Sequence, residues 1–146
     1  MKSSPNFLDG KVIIGSYDNK LHCIDASNGQ KIWAFETSNY INGAPAISGD
    51  TTVFGGCDAT LHALDVTKGE EINGVPVGAP IAASAAFVDG VAYFGHYGNE
   101  IVAVDVKKGE ITWRFPDPES AAFFSSPAVT KDKVISGGRD RLVHCL

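Results

Sequence analysis

Clustered positive charge is missing from this sequence. Its 12 Lys and Arg against 17 Asp and Glu leave a formal net charge of -5, with the two signs interspersed. Nucleic acids and anionic membrane surfaces are recognised through basic clusters, so neither is an expected partner. Long apolar runs are missing too. No stretch approaches the roughly 20 residues that a membrane-crossing helix requires, so direct membrane insertion is not expected. Met1-Lys2-Ser3-Ser4-Pro5 carries no apolar segment, so no signal peptide is expected there. Cysteine is sparse: Cys23, Cys57 and Cys145 are odd in number and far apart. That spacing disfavours a zinc site and a disulfide framework, and leaves buried thiols acting as small hydrophobes as the expectation. No window shows convincing helical periodicity.

What is present is globular text with a period. Hydrophobic residues make up 44% of the 146 residues and charged residues 20%, enough for one domain with a core. Gly15, Gly55 and Gly95 recur every forty residues, and Gly137 follows after a slightly longer step. Asp25, Asp65 and Asp105 keep that period, as do Leu21, Leu61 and Ile101, and the turn glycines Gly29, Gly69 and Gly109. Several features sharing one period of this size signal a repeat architecture.

Each unit reads as four short strands. In the first unit these are residues 5–8, 11–15, 21–24 and 30–35, separated by turns at Asp9-Gly10 and at Asp25-Ala26-Ser27-Asn28-Gly29. The middle strands, such as Val91-Ala92-Tyr93-Phe94 and Ile101-Val102-Ala103-Val104, are apolar at successive positions, which predicts burial on both faces. Small antiparallel sheets of about forty residues, covered on both faces and repeated in tandem, are β-propeller blades. The expected blades span residues 3–44, 45–84, 85–125 and 126–146. The last stops at Leu146, where the first continues into Asp25 and an outer strand. A row of four such blades leaves apolar faces at both flanks, and two copies related by a two-fold axis would close an eight-bladed ring. The expected partner is therefore a second copy, or the missing blades of a parent chain.

The residues now resemble a known family. The Ser-Pro-Ala-Val text at 126–129, the strand Lys133-Val134-Ile135-Ser136-Gly137-Gly138, and the spacing Asp-x-x-x-Gly-x-x-x-Trp are similar to the PQQ-like repeat of quinoprotein propellers. In that family the last motif docks neighbouring blades. Asp25-Gly29-Trp33 and Asp105-Gly109-Trp113 match it in full, whereas Asp65-Gly69 is followed by Asn73 in place of Trp. The resemblance implies one of three roles: a non-catalytic scaffold such as the barrel-assembly lipoprotein, a dehydrogenase holding pyrroloquinoline quinone with calcium, or an accessory domain of a larger enzyme such as a protein kinase. It also implies an extracytoplasmic, periplasmic setting.

No catalytic constellation accompanies the repeat. Asp25, Asp65 and Asp105 read as side chains bonded to their own turns. His22, His62 and His144 share one register on separate blades, too far apart for metal bonds of about 2 Å, so no metal site is expected. No vicinal cysteine pair supports bound quinone. Loops after the second and fourth strands share one face, which groups Tyr17, Asp18, Tyr40, Asn42, Cys57, Asp58, His96, Tyr97, Phe123, Phe124, Arg139 and Asp140. Aromatics mixed with Arg, His and Asp have the composition of an interface or ligand mouth. A binding or scaffolding module is the leading expectation.

Overall fold

The computed structural model describes residues 3–117 and 121–146, and every regular element among them is a strand. The first sheet holds β1 (Asn6–Leu8), β2 (Lys11–Gly15), β3 (Lys20–Asp25) and β4 (Lys31–Glu36). The second holds β5 (Ala46–Ser48), β6 (Thr51–Gly55), β7 (Thr60–Asp65) and β8 (Glu71–Pro76). The third holds β9 (Ala86–Val88), β10 (Val91–His96), β11 (Glu100–Asp105) and β12 (Glu110–Pro116). The fourth has three strands, β13 (Ala128–Val129), β14 (Val134–Gly137) and β15 (Val143–Cys145). Every sheet is an antiparallel meander in chain order, so the fold is all-β with a blade per repeat.

Local chemistry sets the meander. The first hairpin of each complete blade closes on residues with positive φ, at Asp9-Gly10 and Asp89-Gly90 and at Gly49, the geometry that matches the twist of paired strands. Each outer strand carries a bulge at one position, opposite Cys23/Ile24, Ala63/Leu64 and Ala103/Val104.

The core lies between blades. Ile13, Leu21, Trp33 and Ile41 of the first meet Phe54 and Leu64 of the second. Val53, Leu61 and Ile81 meet Phe94, Val102 and Val104 in the next junction. Ile101, Phe123 and Val134 form the last. The recurring glycine of the second strand makes room for this packing. A Cβ on Gly15 would lie 2.3 Å from Ile41, on Gly55 2.5 Å from Ile81, and on Gly95 2.3 Å from Phe123, so each glycine is a notch into which the following loop inserts one apolar side chain.

That notch corrects one expectation. Phe123 does not line a mouth: it is fully buried, in the role that Ile81 plays one blade earlier and Ile41 two blades earlier. The two-residue lengthening of its loop falls beside residues 118–120, outside the described residues. A second correction concerns Cys145. It sits in the register of Cys23, opposite Ile135 as Cys23 is opposite Ile13, yet it is exposed while Cys23 is buried: Cys23 is flanked by Trp33 of the outer strand and packed among Ile41, Phe54 and Leu64, and among the described residues no such neighbours stand beside Cys145. Cys57 is half-buried.

Candidate functional site: an aromatic loop face

The docking motif is built at each junction. Asp25, Asp65 and Asp105 accept hydrogen bonds from the amides of their own turns: Ser27, then Thr67 and Lys68, then Lys108. The Ser27 hydroxyl also donates to Asp25 and holds that exposed carboxyl below its usual range. These carboxylates are occupied in shaping turns. The indole Nε1 of Trp33 reaches across to donate to the Val66 carbonyl at 2.9 Å, and its ring lies flat over Gly69, where a Cβ would come within 2.5 Å. Asn73 occupies the same place in the second blade. Its Nδ2 donates to the carbonyls of Val106 (2.8 Å) and Lys107 (3.2 Å), beside Gly109. An amide thus replaces the indole without moving the contact.

The loops after the second and fourth strands do meet on one side. Tyr17 stacks on Tyr40 with centroids 5.0 Å apart. Tyr97 packs on Phe124 at 4.4 Å, and the Arg139 guanidinium lies 5.3 Å from the centre of the Phe124 ring. Tyr17, Tyr40 and Tyr97 are each about half exposed (41%, 48% and 53%), which is a large apolar area left on view by a folded chain. Between the two aromatic groups is a cleft of about 340 Å³ bounded by Tyr17, Asn42, Ala82 and Tyr97. Asn42 is held by a contact from its Nδ2 to the Cys57 sulfur at 2.9 Å. Ala82 has no distinguishing signal in sequence, since only the small size of its methyl group leaves room for the cleft.

The acidic and imidazole members of the face behave differently from the aromatics. Asp18, Asp58 and Asp140 each accept an amide hydrogen bond two residues on, from Lys20, Thr60 and Leu142, and each also binds the histidine four residues on, His22, His62 and His144, at 2.8, 2.9 and 2.6 Å. The Asp58 and Asp140 side chains are only 4% and 2% exposed, so they brace the turn and do not face a ligand. The recurring spacing Asp-x-x-x-His at 18/22, 58/62 and 140/144 carries this pairing in the sequence. His62 also binds Glu71 through Nδ1 at 2.7 Å. Burial opposes charging its ring, but hydrogen bonds and charge from Asp58 and Glu71 prevail, and its pKa rises.

His96 departs from the loop position expected for it. It is the last residue of β10 and is 1% exposed. Its Nδ1 accepts the Gly98 amide at 2.9 Å, and its Nε2 lies 3.2 Å from Glu100, which also binds Arg114. Burial, with a smaller push from Arg114, outweighs the pull of Glu100 and lowers its pKa. The third blade lacks the Asp–His pair because Gly98 and Val102 stand in those positions. The accessible part of the face is therefore Tyr17, Asp18, Tyr40, Asn42, Tyr97, Phe124 and Arg139. Among the described residues no group of three His, Cys, Asp or Glu side chains is arranged to hold a metal ion.

No curated protein sequence matches this chain. Solved structures do. The computationally designed Ika4 protein superimposes with a TM-score of 0.86 at 18% identity, covering 100% of this chain and 92% of that one. The designed Ika8 protein gives 0.86 at 18% identity over 97% of this chain and 44% of its own. BamB from Moraxella catarrhalis gives 0.85 at 19% identity, over 99% of this chain and 46% of its own. The chain thus spans under half the length of BamB and of Ika8. At these identities the likeness concerns the fold. The sequence also matches a family model over residues 2–114 and again over 55–145, the two matches running through all four blades. With the repeat and the blade geometry it settles membership: this chain belongs to the PQQ-like repeat β-propeller family whose model is described as outer membrane protein assembly factor BamB.

Proposed function

We propose that this chain is a non-catalytic binding module that holds a protein partner against its aromatic loop face. The observation that carries this reading is the pair of exposed aromatic groups, Tyr17/Tyr40 and Tyr97/Phe124 with Arg139, on either side of one cleft. Tyrosine and arginine dominate the energetics of protein interfaces, and loops on a rigid sheet frame present them at low entropic cost. The family description points to components of an outer-membrane assembly apparatus as the partner class. Calorimetric titration of the chain with purified components of such an apparatus tests it. The expected result is saturable binding by one of them, weakened at least tenfold in Tyr97→Ser/Phe124→Ser. Wild-type binding to none of them refutes the partner class, and equal binding by the variant refutes the face.

The same reading includes a second copy of the chain. Phe7 is 63% exposed, whereas Ile47 and Phe87, at its register in the next two blades, pack into the core clusters. Val143 is 76% exposed, whereas its counterparts Leu21, Leu61 and Ile101 are buried. Each flank carries half of a blade junction, and a two-fold pair would join the halves twice into an eight-bladed ring. Light scattering behind a sizing column should give twice the chain mass for the wild type and the single mass for Val143→Glu. A monodisperse wild-type monomer rules the ring out.

A further inference from the structure

The turn between β10 and β11 is braced differently from its counterpart in the first blade. There the Ser16 hydroxyl accepts the Asp18 amide at 3.4 Å, and Asp18 binds His22. In the third blade Gly98 and Val102 stand where Asp18 and His22 do, and His96 stands where Ser16 does. Its imidazole takes over the bracing, with Nδ1 accepting the Gly98 amide at 2.9 Å. The ring is seated closely, since a Cβ on Gly98 would lie 2.6 Å from Cε1 and 2.8 Å from Nδ1. Tyr97, between the two bonded residues, donates its amide to the Pro80 carbonyl at 3.0 Å, borders the cleft and packs on Phe124. Tyr97 is thus positioned by an acceptor that titrates, whereas Tyr17 is positioned by a hydroxyl that does not.

We propose that His96 is a proton-operated clamp on Tyr97, closed when the imidazole is neutral and opened when Nδ1 takes a proton. An Nδ1 that accepts a hydrogen bond carries no hydrogen, so the neutral ring holds its proton on Nε2, which is buried 3.2 Å from Glu100. A second proton has only Nδ1 to occupy. There it would point at the Gly98 N–H, and two donors cannot share that bond, so the turn opens and Tyr97 leaves the cleft wall. The charged groups acting on the ring are Glu100 from β11 and Arg114 from β12. Arg114 binds Glu100 and also donates to the Val77 carbonyl at 3.3 Å, so the carboxylate is shared between the two cations. The neighbouring segment, residues 77–83, carries no ionisable group. Burial, helped by Arg114, holds the ring below the ordinary value of about 6.5. The contribution of the neutral clamp is therefore complete above that pH and is lost as the pH falls through the folded value. A partner on the aromatic face would be captured at neutral pH and released in acid; that consequence rests on the binding role proposed above, whereas the clamp does not.

Nitrogen NMR of the imidazoles in the intact chain reads the ring, and amide exchange, expressed as protection relative to free peptide at each pH, reads the turn. At pH 7.5 His96 should show the tautomer with its proton on Nε2. Between pH 7.5 and 4.5 it should become charged. Protection at Tyr97 and Gly98 should fall at least tenfold in step, with loss of the Overhauser contacts between the Tyr97 and Phe124 rings. The Cys57 amide meets the Tyr40 carbonyl at the same register of the second blade, and its protection should stay within twofold. His96→Asn supplies an acceptor that does not titrate, in the bond that Asn28 already makes to the Gln30 amide, and should keep the turn protected at both pH values. A proton on Nδ1 at pH 7.5, a ring still neutral at pH 4.5, or a charged ring with unchanged protection at 97 and 98 overturns the proposal. So does an equal fall at Cys57, which would mean general loosening, or an equal fall in His96→Asn, which would assign the acid sensitivity to another group. The wild-type readouts decide the matter even where that variant fails to fold.

Discussion

Three glycines occupy one position of the docking motif, yet each faces a different neighbour, so replacing each by alanine separates backbone strain from contact. Gly29, Gly69 and Gly109 all have positive φ, at 73°, 71° and 69°. Forcing an L-residue into that region costs about 1–2 kcal/mol, a contribution shared by all three. Nothing lies within 4 Å of a Cβ on Gly29, whereas the nearest atom is Asn73 Oδ1 at 3.0 Å for Gly109 and Trp33 Cδ2 at 2.5 Å for Gly69. The asparagine can yield by a few tenths of an ångström. The indole is pinned by its bond to Val66, so Gly69→Ala adds an overpacking cost of about 1–3 kcal/mol. The expected losses are about 1–2 kcal/mol for Gly29→Ala, slightly more for Gly109→Ala, and about 2–5 kcal/mol for Gly69→Ala. Urea unfolding followed by far-ultraviolet circular dichroism measures them, with thermal midpoints falling by about 2–5 °C per kcal/mol at this chain length. Pairing Gly69→Ala with Trp33→Leu should recover part of the excess. Three equal losses, or a loss at Gly29 as large as at Gly69, would falsify the assignment of the indole as the added cost.

Two further substitutions probe the turns beside the loop face. Because the folded-state pKa of His62 is raised above the ordinary value of about 6.5, its contribution is complete below that pH and is lost as the pH climbs through the folded value. His62→Gln should therefore cost more stability at pH 5.5 than at pH 8.5 in paired urea titrations, and an equal cost at both would show that the imidazole is not charged against Asp58 and Glu71. Ala59 holds φ 60° in the turn where Asn19 and Asn99 hold φ 65° and 63°. Asparagine tolerates this region better than alanine, so Ala59→Asn should stabilise the chain by about 0.5–1 kcal/mol, visible as a raised melting midpoint; a lowered midpoint would mean that the methyl group packs usefully.

The sequence revealed what is encoded locally and hid what depends on neighbours. Turn chemistry is local, so Asp9-Gly10 and the Asp25-to-Gly29 segment placed the hairpins and the period gave the blades. Burial at a junction is not local. Phe123 and Phe124 are adjacent and identical in type, and only the notch at Gly95 sends one inward and leaves the other beside Tyr97. Cys23 and Cys145 share a register, and their different exposure comes entirely from what stands in front of them. Asn73 looked like a break in the motif because a residue type was compared; the conserved quantity is a side-chain N–H aimed at a carbonyl, which tryptophan and asparagine both supply. The Asp–His pairs were present as a spacing, but the two partners lie on either side of a turn, and only the folded hairpin brings them within hydrogen-bonding distance.

The latch between blades also has a polarity. At both junctions where it is complete, the donor side chain comes from the earlier blade and the carbonyl and glycine from the later one. A unit built this way cannot lock onto another in the reverse order, because two donors, or two turns, would meet. Any larger object assembled through these latches must therefore preserve chain direction at every step, like links threaded one way. Reading the order of the blades around such an object would then be enough to recover which edge of each one came first in synthesis.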